Sequence, residues 1–133
     1  MVDLADAIAT VTALPGVQER SVYGRQGWSV GDGKAFAWVR PFPKADLRRF
    51  GDREPPAGPI LALRLADLEE KDAVLAASGQ AVFTIAHLDG YPAVLVALDA
   101  VDADELRELV LDAWLAVAPE DRARDHLGWD PAD

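Results

Sequence analysis

The sequence contains no cysteine, one methionine and only two histidines among its 133 residues. Without cysteine there are no disulfide bonds, thiolate nucleophiles or thiolate metal ligands, and a reducing compartment is favoured. The two histidines, His87 and His126, lie too far apart in the sequence to form a metal-binding motif such as His-x-x-Glu-His. We therefore expect no metal site.

Long apolar runs are also missing. No segment approaches the roughly 20 apolar residues that a membrane-spanning helix requires. The first residues do not resemble a signal peptide, because Asp3 and Asp6 interrupt their apolar pattern. A chain of 133 residues suits one domain. We therefore expect a single cytoplasmic domain over residues 1–133, with its core at about 3–118, an acidic tail at 119–133 and no membrane partner.

Positive charge is scarce overall but unevenly distributed. The formal net charge of −10 opposes loose binding to a phosphate backbone. Residues 20–53 nevertheless hold eight basic and three acidic side chains, a local charge of +5, whereas residues 99–133 hold eleven acidic and three basic ones, a local charge of −8. Such asymmetry is typical either of an interaction surface or of two solvated faces.

Apolar periodicity and turn residues divide the chain into short elements. Helices are predicted where apolar residues recur at helical spacing, and strands where short apolar runs lie between turn residues. The predicted helices are Leu4–Val11, Asp67–Ala77 and Asp102–Val117, and the predicted strands are Glu19–Gly24, Trp28–Val30, Lys34–Arg40, Ile60–Leu65, Val82–Ala86 and Pro92–Leu98. Strands outnumber helices and are mostly joined by turns, which predicts an α+β fold with an antiparallel sheet and helices packed on one face.

The last two predicted strands flank a polar turn, and we expect this hairpin to form the centre of the sheet. Its turn brings together His87, Asp89 and Tyr91. A turn role for these residues is favoured over acid–base catalysis, because Asp-Gly pairs are common in turns. With no Gly-x-Ser-x-Gly elbow and no cysteine, a non-enzymatic protein is expected. The alternative function is a small-ligand or protein-binding pocket lined by Trp28, His87, Asp89 and Tyr91.

Basic side chains interleaved with aromatic ones suggest a second kind of site. Lysine and arginine bind phosphates, and aromatic rings stack on bases, in proteins that bind single-stranded nucleic acid. The candidate phosphate-binding residues are Arg25, Lys34, Arg40, Lys44, Arg48 and Arg49. Phe36 and Trp38 share one face of a strand and are expected in the core. For Tyr23 and Trp28, the sequence leaves the choice between burial and exposure open. Residues 41–59 hold five of the nine prolines and are predicted to form a rigid surface loop.

Several motifs resemble the MmcQ/YjbR-like family over roughly residues 4–119. The most specific is Phe-Thr-x-x-His-x-Asp-Gly-Tyr, which spans residues 83–91. The others are Leu14-Pro15-Gly16-Val17, Gly24-Arg25, Lys34-Ala35-Phe36-Ala37-Trp38, Glu70-Lys71, Asp112-Ala113-Trp114 and Ala118-Pro119. The loop at residues 41–59 is similar to that of a long-loop variant of the family.

The resemblance implies a CyaY-like, double-wing α+β domain that works without a cofactor. It also implies a DNA-binding protein, which agrees with the local positive charge of residues 20–53 and disagrees with the overall net charge of −10. DNA, a protein and a small ligand are therefore the candidate partners. The sequence leaves the choice between a monomer and a dimer open.

Overall fold

The computed structural model describes residues 2–22, 24–31, 33–40, 59–85 and 88–118. Within them the chain forms three helices and six strands. The helices are α1 (Leu4–Thr12), α2 (Leu68–Ala77) and α3 (Ala103–Val117), and the strands are β1 (Val17–Val22), β2 (Arg25–Val30), β3 (Ala35–Val39), β4 (Ile60–Arg64), β5 (Val82–Phe83) and β6 (Ala93–Ala97). Of the predicted loop at residues 41–59, residues 41–58 lie outside the described residues, and so does the predicted tail at 119–133.

Aspartate side chains begin the first two helices. The Asp3 carboxylate accepts a hydrogen bond of 2.7 Å from the backbone N–H of Asp6 at the start of α1. The Asp67 carboxylate accepts one of 2.8 Å from Glu70 at the start of α2. Each bond satisfies an amide that has no partner within its helix, which is why aspartate is favoured at this position. The sequence therefore places both helix starts within one residue.

All six strands join one antiparallel sheet in the order β1-β2-β3-β4-β6-β5. This confirms the predicted α+β class with an antiparallel sheet. The prediction that the last hairpin forms the centre of the sheet is wrong, because β5 is an edge strand and only two residues long. The centre is made by β3 and β4, which pair with each other.

The helices cover one face of the sheet. Helix α3 packs on β2, β3 and β4, and α1 packs against α3. Between helices and sheet lies the larger apolar cluster, which includes Val11, Leu61, Leu63, Val94 and Trp114, all fully buried. The Trp114 indole N–H also donates a 3.1 Å hydrogen bond to the Pro15 carbonyl, which joins α3 to the segment after α1. Packing of the helices on one face is therefore confirmed.

The other face of the sheet has no helix among the described residues and carries a smaller apolar cluster. It contains Trp38, Ile60, Ala62 and Leu95, together with Ile85 and Leu88 from the segment between β5 and β6. We call this side of the sheet the open face. Its cluster is partly covered by the segment that holds the most specific family motif.

A β-bulge in β3 changes which side chains share a face. Trp28 pairs with Ala37 and the next residue, Ser29, pairs with Ala35, so Phe36 is the extra residue of the bulge. Phe36 and Ala37 then both pack in the larger cluster, while Trp38 packs in the smaller one. The prediction that Phe36 and Trp38 share a face is therefore wrong, although their predicted burial is confirmed at 0% and 6% exposure.

No helix in the described part of the chain has enough length and apolar character to span a bilayer.

Candidate functional site

A concave groove of about 500 Å³ lies on the open face. The sheet residues Val22, Ala35 and Trp38 form its apolar part, and Tyr91 from the turn before β6 closes one side. The polar side chains that line it are Arg20, Ser21, Lys34 and Arg64. The volume falls in the range of small-molecule sites, and polar side chains make up about half of the lining.

The cations of the groove lie on or beside three strands of the sheet. Arg20 lies on β1, Lys34 immediately precedes β3, and Arg64 ends β4. Arg20 and Lys34 are exposed, and Arg64 is half-buried. The Arg20 Nη1 atom donates a 2.7 Å hydrogen bond to the Gly33 carbonyl, which holds its guanidinium at the wall of the groove. The strand pairing therefore gathers cations that are 44 positions apart in the sequence.

The guanidinium of Arg64 is held by Tyr91 in two ways. Its Nη1 atom donates a 2.8 Å hydrogen bond to the Tyr91 hydroxyl, and its Cζ atom lies 5.4 Å from the centre of the Tyr91 ring. The second contact is a cation–π interaction. Because arginine retains further N–H donors after this bond, Arg64 can still bind an anion in the groove.

Lys71 of α2 holds the turn that contains Tyr91. The Lys71 ammonium donates hydrogen bonds of 2.7 Å to the Leu88 carbonyl and 2.9 Å to the Tyr91 carbonyl. The side chain is 5% exposed. Burial lowers the pKa of the Lys71 ammonium from its ordinary value of 10.5, while Asp89 and Asp72 oppose the shift. Lys71 thus connects α2 to Tyr91, and through Tyr91 to Arg64.

The groove is a region of positive charge in an acidic chain. Among the described residues that line it there is no carboxylate. Acidic groups gather instead on the helices, where burial raises the pKa of the Asp112 carboxyl from 3.8, and the nearby Glu70 and Glu108 raise it further. The fold therefore separates negative charge on the helix side from positive charge on the open face.

Of the three predicted phosphate-binding residues that the structure describes, one lies in the groove. Lys34 lines it, whereas Arg25 and Arg40 do not, although Arg25 pairs with the groove residue Val22. Lys34 and Arg40 are separated by the full length of β3, about 20 Å at the usual rise per residue. Lys44, Arg48 and Arg49 lie outside the described residues.

The alternative pocket is only partly assembled. Tyr91 lines the groove, and Asp89 is exposed in the same turn. His87 and Tyr23 lie outside the described residues. Trp28 does not join them, because it is 1% exposed and packs in the larger cluster, whereas Tyr91 packs against the smaller one. The groove therefore contains one residue from each predicted site: Lys34 from the phosphate-binding site and Tyr91 from the alternative pocket.

Three residues of the site were not predicted: Arg20, Arg64 and Lys71. The sequence did contain an indication for Arg64, which is a charged residue on the less apolar face of an alternating strand. For Lys71 the only indication was its place in the Glu70-Lys71 motif. Their assembly depends on contacts between residues 13 to 27 positions apart, which strand patterns do not reveal.

The described residues contain no group of three or more histidine, cysteine, aspartate or glutamate side chains that could hold a metal ion.

Fold and site together define a small α+β domain with a basic groove on the open face of an antiparallel sheet. The YjbR family model matches residues 12–116 of the chain, and the chain belongs to this family. Relatives at 41% identity over 118 residues include the uncharacterized proteins Mb2600 of Mycobacterium bovis and Rv2570 of Mycobacterium tuberculosis, with 86% of this chain and 88% of each relative covered.

A solved structure has the same fold. The crystal structure of Deinococcus radiodurans protein DR2400, with a DUF419 domain, superimposes with a TM-score of 0.62. The alignment covers 98% of this chain and 91% of that one at 20% sequence identity. At this identity the similarity shows the fold alone.

Proposed function

We propose that the chain is a non-enzymatic, cytoplasmic binding module that holds an anionic partner in the groove, with the phosphates of nucleic acid as the first candidate. The observation that carries this proposal is the convergence of Arg20, Lys34 and Arg64 on one concave surface. Two of these side chains are already held in place by Gly33 and Tyr91. A cation ordered before binding loses less conformational entropy when the partner arrives.

Nucleic acid is favoured by the chemistry of the lining. Guanidinium and ammonium groups bind phosphate oxygens, and arginine does so through several donors at once. The family resemblance points to the same partner. The net charge of −10 weakens long-range attraction, but contacts within the groove act at distances where the nearby cations dominate.

A small anionic ligand is the second candidate. The volume of about 500 Å³ falls in the range of ordinary small-molecule sites, roughly 300 to 1,000 Å³. Half-buried Tyr91 and the largely buried Trp38 provide an apolar boundary for such a ligand.

A non-enzymatic role is supported by the kinds of side chain in the groove. Its lining has cations and hydroxyl groups to hold an anion. The sequence has no cysteine nucleophile and no Gly-x-Ser-x-Gly elbow. Binding is therefore the simplest chemistry that the arrangement can perform.

The test is a fluorescence-anisotropy titration of labelled single- and double-stranded DNA at low and near-physiological salt. The wild-type protein should bind at low salt and weaken as salt rises. Lys34→Gln should raise the Kd about tenfold, as expected for one lost charge-assisted contact. It should also reduce the slope of log Kd against log salt by roughly 0.7 for a single strand.

Arg107→Gln is the matched control, because it removes the same charge from an exposed position of α3 that does not line the groove. It should change the Kd much less than Lys34→Gln. Equal effects of the two variants would mean that binding follows net charge rather than the groove. No binding of DNA at low salt would refute nucleic acid as the partner and leave the small anionic ligand.

A further inference from the structure

A second, smaller cavity adjoins the groove. Its volume is about 250 Å³, and it lies between the end of the sheet and the end of α3. Its lining comprises Lys34, Arg64, Leu65, Ala66, Ala116 and Val117. Lys34 and Arg64 therefore line both cavities.

The two cavities differ in the charge that they favour. The smaller one is bounded by Ala116 and Val117, the last two residues of α3. The final carbonyl groups of a helix have no partner within it and carry partial negative charge. They disfavour a phosphate inside the small cavity but accept hydrogen bonds from neutral N–H or O–H groups. The negative charge of a ligand is thus favoured at the cation pair and not beyond it.

We propose that the site holds a phosphodiester of single-stranded nucleic acid, with the bridging phosphate at Lys34 and Arg64 and one nucleoside in each cavity. A phosphodiester has one negative charge at its centre and a neutral, hydrogen-bonding group on each side. This distribution matches two cavities that share a pair of cations. The inference rests on the proposed binding of an anion in the groove.

A duplex does not fit this arrangement. Its bases are paired and stacked inside the helix, and only its phosphates and groove edges face a protein. Single-stranded nucleic acid can turn its bases away from each other into separate cavities. The concave shape therefore selects a single strand, whereas positive charge alone would accept both.

The deciding experiment compares small ligands by isothermal titration calorimetry. The probes are thymidine 5′-monophosphate, with one nucleoside, and thymidylyl-thymidine and uridylyl-uridine, each with two nucleosides on one phosphodiester. At least one dinucleoside should bind about tenfold more tightly than the mononucleotide, because a second base adds its own contacts. Preference between the two dinucleosides distinguishes DNA from RNA as the source.

Ala66→Phe tests the small cavity directly. Ala66 is exposed and lines this cavity, so a phenylalanine there fills it without entering the core. The backbone N–H of Ala66, which donates to the Glu70 carboxylate, is retained. The variant should lower dinucleoside affinity to the level of the mononucleotide and leave mononucleotide affinity unchanged. Ala76→Phe, at an exposed position of α2 outside both linings, is the matched control and should retain the full difference.

The outcomes separate this inference from the proposed function. If mononucleotide and dinucleosides bind equally to the wild-type protein, or if Ala66→Phe leaves their ratio unchanged, the two-cavity inference is overturned while anion binding in the groove stands. If none of the three probes binds, the proposed nucleic-acid function fails as well. Ala116→Leu, which fills the same cavity from the side of α3, checks that the result does not depend on Ala66.

Discussion

The two faces of the sheet are built from the same strands but serve different purposes. The helix-covered face holds the larger cluster, whose residues from β4, β6 and α3 are enclosed on all sides. The open face holds the smaller cluster and, beside it, the surface groove that Arg20, Lys34 and Arg64 line. Alternation of side chains along a strand allows both, since neighbouring residues face opposite ways. Stability is concentrated on one face, which leaves the other free to carry charge.

Charge follows the same division. Asp112 lies on α3, where burial and then the nearby carboxylates of Glu70 and Glu108 raise the pKa of its carboxyl. The cations that line the groove lie on strands or beside them. An acidic protein can therefore maintain a positive site, because most of the carboxylates among the described residues lie on the helices or at their starts. The following predictions test this division, from the largest expected effect to the smallest.

Two of the buried tryptophans, one from each apolar cluster, provide the strongest comparison. Trp114→Ala should lower the free energy of unfolding by about 3–5 kcal/mol, since it leaves a cavity enclosed by helix and sheet. Trp38→Ala should cost less, about 2 kcal/mol, because its space opens to the groove and can take up water. Urea denaturation measures both values. A larger loss for Trp38→Ala would contradict the division of stability between the faces.

Gly27 tests how closely the strands approach on the open face. A Cβ atom at this position would lie 2.5 Å from Val22 Cγ2 and 3.1 Å from both the Ala37 carbonyl oxygen and Trp38 Cβ. Gly27→Ala should therefore destabilise the protein by about 1–3 kcal/mol through overpacking. Gly79→Ala is the matched control, because its Cβ would meet open space. Thermal denaturation of the two variants should give clearly different Tm values.

Lys71 should contribute to both stability and binding. Lys71→Met leaves the Leu88 and Tyr91 carbonyls without their ammonium donor and should cost about 1–3 kcal/mol. It should also weaken binding in the groove, because Tyr91 positions Arg64. Glu69→Gln, an exposed change on the same helix, should affect neither property.

The difference in stability between the wild-type protein and Lys71→Met should depend on pH in a definite direction. The pKa of Lys71 is lowered from 10.5 in the folded state, so the unfolded chain holds this proton more tightly. The wild-type protein should therefore gain stability relative to Lys71→Met as the pH rises from the lowered pKa towards 10.5. Denaturation curves at several alkaline pH values measure this trend, and a constant difference would argue against an ammonium buried in the folded state.

The smallest effect is expected on the helix side. The pKa of Asp112 is raised, so the folded protein binds this proton more tightly than the unfolded chain does, and the associated stability is lost as the pH rises through the raised pKa. Asp112→Asn should therefore raise the Tm at neutral pH, and its advantage should disappear below about pH 3.8, where the carboxyl is protonated in both states. Asp99→Asn, at an exposed position, should change the Tm less.

Local patterns were sufficient for the elements of the fold. Helix starts at Asp3 and Asp67, the strand at Ile60 and the long apolar stripe of α3 follow from contacts within a few residues of one another. The strand predicted at Val82–Ala86 was too long, because β5 is only Val82–Phe83. An apolar run does not distinguish a strand from a segment such as Ile85–Leu88, which packs on the open face through its side chains.

The candidate site was only partly predictable for a related reason. Lys34 and Tyr91 were each proposed, but in different sites, because nothing in their sequence neighbourhoods connects them. The strand order β1-β2-β3-β4 and the reach of long side chains bring Arg20 and Arg64 to the same groove as Lys34. The strand pairing also separates Lys34 from Arg25 and Arg40, which the sequence alone groups as neighbours.

By itself, the sequence determined the fold class, the approximate bounds of most elements and the burial of residues such as Phe36 and Trp38. These depend on side-chain periodicity and on caps, which are local. Only the tertiary structure decided that the last hairpin lies at an edge, that a bulge sends Phe36 and Trp38 to different faces, and that Arg64 rests on a turn held by Lys71. Those outcomes depend on strand order and register, which arise from long-range pairing.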